Sequence, residues 1–384
     1  MEVPLDIVDK TSADAARLQL TPTQYQGILP AFINVSGGDI NEFPLGDSTV
    51  RRDRKIAAKR KRKEIKDEFK ESVSDKHLIV HFDGKLMNEL TSSLDTKVKK
   101  KKKNRMAVLV TSPELVQIEQ LLGIPELVDG KGRTEKNSTV ELLKEWEAWD
   151  PTVGVVFDTT ASNTGCNQGS VTLLEKEKKR ALIKMPCRRH VIELPAVHVA
   201  IAVSGRQTTG PGDKLFLAFS SISHDLKPNI NYQNLVKFDW ESHLGTVMEE
   251  KAKKVLIWAE QALSRETFPR SDYREMVELM IIYLDGVVDS LMFHKLKKIS
   301  PARFLQRGIM YIIMRLLCDH YEIFSKEEDT EIKRMSEFSA LYFGIWFLTC
   351  PLTASAPYND LNAIKEMRDL KDLRQVEADA CLDS

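Results

Sequence analysis

The chain has 384 residues, and its 56 Lys and Arg residues balance 56 Asp and Glu residues, so its formal net charge at pH 7 is zero. That balance excludes a uniformly basic packaging protein, while a hydrophobic content of 42% is enough to build a buried core. The five cysteines are widely spaced and predict neither a disulfide framework nor a CxxC zinc site, so we expect a reducing compartment. The sequence also predicts no signal peptide and no membrane partner, since its longest near-apolar stretch, 338–352, is too short to span a bilayer.

The first half of the chain begins with an arm and a charged helix. Residues 1–50 have weak periodicity and scattered Pro, Gly and Ser, which predicts an irregular arm, and 51–72 predict a helix. HLIVHF (77–82) is rich in β-forming residues and predicts a strand that ends at an Asp83-Gly84 turn. RMAVLVTS (105–112) predicts a second strand.

Helices and strands then alternate. PELVQIEQLLG (113–123) predicts a helix with Pro at its first position and Gly at its end, and 138–150 predict another. PTVGVVFD (151–158) predicts a buried strand closed by an acid, and ALIKMPC (181–187) is a further apolar run. HVIELPAVHVAIAV (190–203) fits a helix or a strand, broken near its proline.

Beyond residue 205 the sequence pattern predicts helices only. Apolar residues recur at helical spacing in five segments: 246–265, 272–291, 301–321, 331–350 and 359–379. We therefore expect a mixed α/β protein. The predicted organisation is an arm and basic helix over 1–72, an α/β core over 73–205 and a helical region over 206–384.

Positive charge is concentrated in two segments, 51–66 and 97–105. The first carries ten basic residues and two acidic ones. Two such runs favour binding to a polyanion such as DNA, although a solvated helix face is the plainer alternative. KRKRK (59–63) also has the composition of a nuclear localisation signal, so a nuclear protein is expected. The candidate phosphate-binding residues are Arg51, Arg52, Arg54, Lys55, Lys59, Arg60, Lys61, Arg62, Lys63, Lys99, Lys100, Lys101, Lys102 and Lys103.

Two acids follow apolar strands and are candidate catalytic residues. Asp83 and Asp158 each close a predicted strand, and acids at the ends of adjacent buried strands can converge on a divalent metal. Mg²⁺ prefers such hard oxygen ligands and supports phosphodiester chemistry. The alternative is that both are ordinary turn or capping acids.

Cys187 and His190 lie three residues apart, a spacing that can supply two zinc ligands. A structural zinc site needs four ligands, and no second pair has usable spacing. We therefore expect a buried structural pair without zinc, in which Cys187 is a small apolar group. A catalytic Cys–His pair remains the alternative.

Three segments together resemble a known family. LIVHFDGKLM (78–87), VGVVFDTTASNTG (153–165) and MPCRRHVIEL (185–194) resemble the middle of hAT-type DNA transposases and of uncharacterised invertebrate proteins derived from such elements. The resemblance implies an RNase H-like mixed-sheet core interrupted by a large all-helical insertion. Asp83 matches the first catalytic Asp of the family and Asp158 the second.

The resemblance covers roughly 77–380 and extends to further features. Cys187 and His190 match a C-x-x-H motif, and the TTGP turn (208–211) with the helices beyond it matches the insertion. The family's third acid, a Glu on a helix after the insertion, has no clear match, although Glu337 and Glu377 lie in helical stretches. No BED-type zinc finger precedes the core, and the last catalytic helix is expected to be absent.

These observations predict a transposase-derived nucleic-acid-binding protein that is catalytically degenerate. If it is active, Asp83 and Asp158 are expected to bind Mg²⁺ for phosphodiester cleavage and strand transfer. Two alternatives remain open at this point. One is a non-catalytic protein-interaction scaffold that forms homo-oligomers through its helical region, and the other is an active metal-dependent nuclease on the same fold.

Overall fold

The computed structural model describes residues 6–18, 20–73, 75–88, 102–206, 212–226, 234–265, 267–289 and 304–384. The predictions for Lys99, Lys100, Lys101 and the TTGP turn lie outside these residues. The chain divides into two compact units, 1–185 and 186–384. The division falls before the last helix of the region that the sequence assigns to the α/β core.

The first unit begins with three helices, α1 (Ile7–Arg17), α2 (Pro22–Val35) and α3 (Asp47–Val73). A small apolar core joins them, made of Ile7, Val8, Ala15, Tyr25, Leu29, Ile33, Phe43 and Val50. The prediction of an irregular arm over 1–50 is therefore wrong. One sequence signal for the start of α2 is a capping box. Thr21 Oγ1 accepts a hydrogen bond from the backbone N–H of Gln24, and the Gln24 side chain accepts one from the backbone N–H of Thr21.

One sheet forms the centre of the first unit. Its strands are β1 (Leu78–Asn88), β2 (Lys102–Ser112), β3 (Leu115–Gly123), β4 (Glu126–Leu127), β5 (Thr152–Phe157) and β6 (Ile183–Pro186). The strand order is β3-β2-β1-β5-β6, and the short β4 pairs with β2. β1, β2 and β3 are antiparallel, whereas β5 runs parallel to β1. The prediction of a mixed α/β fold is confirmed.

Two details of the predicted sheet are wrong. Residues 113–123 do not form a helix, because the chain turns at Pro113-Glu114 and returns as β3 against β2. The Asp83-Gly84 turn does not exist either, since β1 continues to Asn88 and Asp83 pairs with Ala107 on β2. Asp83 thus lies within a strand rather than at its end.

Three helices accompany the strands, α4 (Gly132–Glu145), the single turn α5 (Ala161–Thr164) and α6 (Ser170–Lys178). Alternate strand residues point to one face of the sheet, where they are buried against α3, α4 and α6. This core contains Phe69, Val73, Leu78, Val80, Phe82, Met106, Val108, Val110, Val140, Leu143, Trp146, Val155, Phe157, Val171 and Leu174. Burial of these side chains is the main stabilising contribution to this unit.

The described part of the second unit is helical. Its helices are α7 (Arg188–Ser204), α8 (Lys214–Leu226), α9 (Val247–Ser264), α10 (Ser271–Tyr283), α11 (Leu305–Leu316), α12 (Lys326–Phe338), α13 (Gly344–Thr349), α14 (Ala356–Leu370) and α15 (Gln375–Leu382), with a π-helical turn (Ser339–Phe343) before α13. Helices occupy most of the predicted segments, but α10 ends at Tyr283 rather than at 291, and the segment 359–379 is divided between α14 and α15. α7 runs through Pro195, so the ambiguous segment is a helix. None of the helices described here combines the length and apolar composition that a membrane span requires.

Candidate acidic site and basic helix

The two candidate acids belong to neighbouring strands: Asp83 lies within β1, and Asp158 directly follows β5. The parallel ladder between β1 and β5 pairs His81 with Val156. Asp83 lies two residues after His81, and Asp158 lies two residues after Val156. If the register is continued, the two acids are therefore at the same height along the sheet. The prediction that their strands are neighbours is confirmed, and neither strand is at an edge of the sheet.

A turn immediately after β5 holds the Asp158 carboxylate. Asp158 Oδ1 accepts hydrogen bonds from the Thr160 backbone N–H at 3.0 Å, from Thr160 Oγ1 at 2.6 Å and from Asn163 Nδ2 at 2.6 Å. Asn163 is buried, and its Oδ1 accepts from Ser170 Oγ at 2.6 Å. This relay ties the Asp158 carboxylate to the first turn of α6, which restricts its orientation.

Two glycines allow the surrounding backbone to approach this turn. A Cβ atom on Gly132 would lie 2.4 Å from the Ser162 carbonyl oxygen, and one on Gly169 would lie 2.5 Å from the Asn163 carbonyl oxygen. Only glycine fits such contacts. Gly132 starts α4, so its close approach brings the first turn of α4 against the Asp158 turn.

Glu135, in that first turn of α4, is a functional candidate that the sequence reasoning missed. Its side chain is buried, and its Oε1 accepts a hydrogen bond from Ser162 Oγ at 3.4 Å. The same Oε1 would lie 4.0 Å from a Cβ atom on Gly84, the neighbour of Asp83. Burial and the charge of Asp158 raise the pKa of Glu135 to about 6.

The acids are not arranged as a formed metal site. Across the residues that the structure describes, no three His, Cys, Asp or Glu side chains lie close enough together to hold a metal ion. The donors near the Asp158 turn are carboxylate and amide oxygens, which fit a hard cation such as Mg²⁺ better than zinc.

The two glutamates considered for the third acid have other partners. Glu337 is buried, and its carboxylate is 2.8 Å from Arg374 and 3.4 Å from His243. Glu377 is also buried, and Arg334 donates to both of its oxygens at 2.7 and 2.6 Å. These are structural ion pairs in the core of the second unit.

Cys187 and His190 form a pair at the start of α7, but not the inert one predicted. Both are half-buried rather than buried. A side-chain hydrogen bond from His190 lowers the pKa of the Cys187 thiol below its usual value, an effect that outweighs burial. Describing Cys187 as a small buried apolar group is therefore wrong.

Most of the arginines on α3 are engaged with other groups. Arg51 binds Asp47, Arg52 contacts Asp53, and Arg60 binds Asp9. Arg62 donates to Glu145 at 3.0 Å, and Lys61 lies 3.0 Å from Glu64. Arg54 stacks on the ring of Tyr25, with its guanidinium carbon 5.1 Å from the ring centroid. Fewer of these cations are available to phosphate than the sequence suggests.

Three lysines on α3 differ from those arginines. Lys55, Lys59 and Lys63 are exposed, and within the described residues none of them has an ion pair. Their spacing of four residues places them along one side of the helix. On β2, Lys102 is exposed and Lys103 pairs with Glu126 at 2.9 Å. The exposed lysines of α3 are called the lysine stripe below.

Known proteins offer few matches to this chain. No protein-family model matches the sequence, and no curated protein matches it. A solved structure, the Drosophila P element transposase strand transfer complex, aligns over 100% of this chain and 91% of its own, with 11% identity and a TM-score of 0.32. The assignment to a mixed α/β fold with one six-stranded sheet rests on the strand order and pairing described above.

Proposed function

We propose that the chain is a transposase-derived nucleic-acid-binding protein with an RNase H-like core, in which Asp83 and Asp158 belong to a metal-dependent phosphodiester cleavage and strand-transfer site. The observation that carries the proposal is the parallel pairing of β1 with β5. In this register, Asp83 within the central strand β1 is level with Asp158, which directly follows the neighbouring strand β5.

The sheet topology supports the RNase H-like assignment. Three antiparallel strands come first, and β5, placed on the other side of β1, is parallel to it. Apart from the two-residue β4, β5 is the fourth strand of the chain. These positions agree with the first-strand and fourth-strand acids that the hAT resemblance implies, and the helical second unit agrees with its insertion.

The residues present suit a role in phosphodiester chemistry. When bound, Mg²⁺ would supply positive charge that activates the attacking oxygen and stabilises the leaving one. The protein's part is to hold the ligands in place, and the Thr160 and Asn163 hydrogen bonds orient the Asp158 carboxylate before any cation arrives. Asp83 is exposed, so its side chain can change rotamer to approach a cation.

The basic residues are the proposed DNA-binding groups. Exposed lysines on α3 can contact phosphates and release the counterions condensed on DNA, which gives affinity without sequence preference. The KRKRK segment (59–63) is proposed to direct the protein to the nucleus. A scaffold without this activity would show neither salt-dependent DNA binding nor a dependence on the two acids.

Nicking of supercoiled DNA tests the catalytic part. Mg²⁺-dependent or Mn²⁺-dependent nicking by the wild-type full chain would show an active site rather than the degenerate one that the sequence predicts, and that nicking should be lost in both Asp83→Asn and Asp158→Asn. Asp150→Asn is the matched control because Asp150 precedes the same strand at its other end. If the wild-type chain binds DNA but never nicks it, the protein is a catalytically degenerate derivative. If Asp150→Asn and Asp158→Asn behave alike, the assignment of Asp158 is wrong.

A further inference from the structure

We infer that Glu135 is the third acidic residue of the Asp83–Asp158 site, which places all three carboxylates in the first unit. This inference rests on the proposed function and deepens it. The hAT resemblance instead implies a third acid that is a glutamate on a helix in the second half of the chain. Three observations carry the inference: the burial of Glu135 with one carboxylate oxygen lacking a hydrogen-bond partner among the described residues, its position, and the backbone that holds it there.

The first observation is how Glu135 is buried. Its side chain is 8% exposed, and its Oε2 has no hydrogen-bond partner among the described residues. Burying a carboxylate without a partner is costly, so such groups are usually paired. Three other buried glutamates, Glu331, Glu337 and Glu377, are each paired with an arginine. Among the described residues no arginine or lysine pairs with Glu135, so its Oε2 is a candidate ligand atom for a cation.

The second observation is its position. Glu135 Oε1 lies beside Gly84 on one side and Ser162 on the other. Ser162 Oγ is 3.0 Å from Thr160 Oγ1, which itself donates to Asp158 at 2.6 Å. Glu135 therefore lies between the strand that carries Asp83 and the turn that holds Asp158.

The third observation is the backbone that fixes Glu135. Gly132 begins α4 where a Cβ atom would lie only 2.4 Å from the Ser162 carbonyl oxygen and 2.5 Å from that of Gln168, so no other residue fits there. Glu135 follows three residues later in the first turn, so its placement depends on this contact. A surface glutamate would not need such a fit.

Three carboxylates would make a chemically suitable set for Mg²⁺ or Mn²⁺. These ions take oxygen ligands, and a dication offsets the mutual repulsion of carboxylates in one place.

Mn²⁺ binding to the full chain tests the inference directly. The probe is Mn²⁺ alone, measured by loss of the electron paramagnetic resonance signal of the free ion. We expect Glu135→Gln to weaken Mn²⁺ binding about tenfold or more, because it removes one anionic oxygen ligand. Glu141→Gln, an exposed position on the same helix, should leave the affinity at the wild-type value.

A second variant guards against a folding effect. Glu135→Asp keeps the charge but draws the carboxylate back, so its Mn²⁺ affinity should fall between those of wild type and Glu135→Gln. The melting temperature of each variant in EDTA shows whether it is folded. Wild-type Mn²⁺ affinity in both Glu135 variants would overturn the inference.

The outcomes separate the inference from the proposed function. If Asp158→Asn loses Mn²⁺ binding while Glu135→Gln keeps it, the cation site stands and its third acid is not Glu135. If wild-type protein binds no Mn²⁺, the cation site itself is wrong, and the inference falls with it.

Discussion

Glu135 makes the stability of the first unit depend on pH. Its pKa is raised from 4.5 to about 6, first by burial and then by the charge of Asp158, so the folded state retains a proton that the unfolded state has released. The stabilising contribution is complete below pH 4.5 and is lost as the pH rises to about 6. The change corresponds to at most about 2 kcal/mol, less where water reaches the group.

This dependence should disappear in Glu135→Gln. In EDTA, the free energy of unfolding of wild type should fall relative to that of the variant between pH 4.5 and 7. Urea unfolding at the two pH values measures the difference, and Glu141→Gln should follow wild type. A constant difference between wild type and Glu135→Gln would mean that Glu135 titrates normally.

Asn163 is the residue whose loss should most disturb the Asp158 turn. It is buried, donates to Asp158 and accepts from Ser170. Asn163→Ala leaves both partners without that hydrogen bond, which should cost about 1–3 kcal/mol of folding free energy. Urea unfolding checks this, with the exposed Asn167→Ala as control. Equal stability of the two variants would contradict the relay.

Cys187 should be the more reactive thiol when compared with Cys350 and Cys381. A hydrogen bond from His190 lowers the pKa of Cys187, whereas burial raises the pKa of Cys350 and Cys381 to about 12. Iodoacetamide labelling at pH 7.5, followed by mass spectrometry, should modify Cys187 before Cys350 and Cys381, because the thiolate is the reacting form. His190→Ala should slow that labelling, and an unchanged rate would show that His190 does not activate the thiol.

At the scale of elements, the lysine stripe of α3 should determine how strongly salt weakens DNA binding. Replacing Lys55, Lys59 and Lys63 with alanine should reduce the log–log salt slope by about 0.9 for each phosphate that is no longer neutralised, so by nearly three if all contribute. Replacing Arg60, Lys61 and Arg62 removes the same charge, but these residues are already paired with acids. That control should change the slope less, and equal changes would contradict a special role for the stripe.

The elements also show where sequence reasoning succeeds and where it fails. β5 and its terminal Asp158 are predictable, because a short apolar run followed by small polar residues fits few structures. β3 is not, since Pro113 suits either a first helical turn or a tight turn, and pairing with β2 decides between them. The sequence marks Asp83 as a candidate acid at a strand end followed by a turn, but no turn forms there, and Asp83 lies within β1.

Glu135 could not have been identified as a site residue from the sequence. Nothing in the local pattern around it distinguishes it from Glu141 on the same helix. What sets it apart is the contact of Gly132 with the turn over 162–170, about thirty residues away in sequence. Contacts of that kind depend on how the whole sheet packs, so a single sequence carries no periodic signal for them.

At the scale of the whole molecule, the zero net charge conceals a difference between the units. Residues 1–185 contain 31 basic and 28 acidic residues, and 186–384 contain 25 and 28, so the units carry +3 and −3. Lysine acetylation with and without DNA tests the consequence. DNA should protect Lys55, Lys59 and Lys63, and it should leave the exposed Lys253 and Lys254 of the second unit accessible. Protection mainly in the second unit would place the DNA surface elsewhere.

The containment of the candidate acids within 1–185 has a genetic consequence. Asp83, Glu135 and Asp158, with Asn163 and the two close-contact glycines, are encoded by one uninterrupted stretch of the reading frame. A premature stop codon or a splice junction beyond residue 185 would remove the helical half and leave every codon of the acidic site intact.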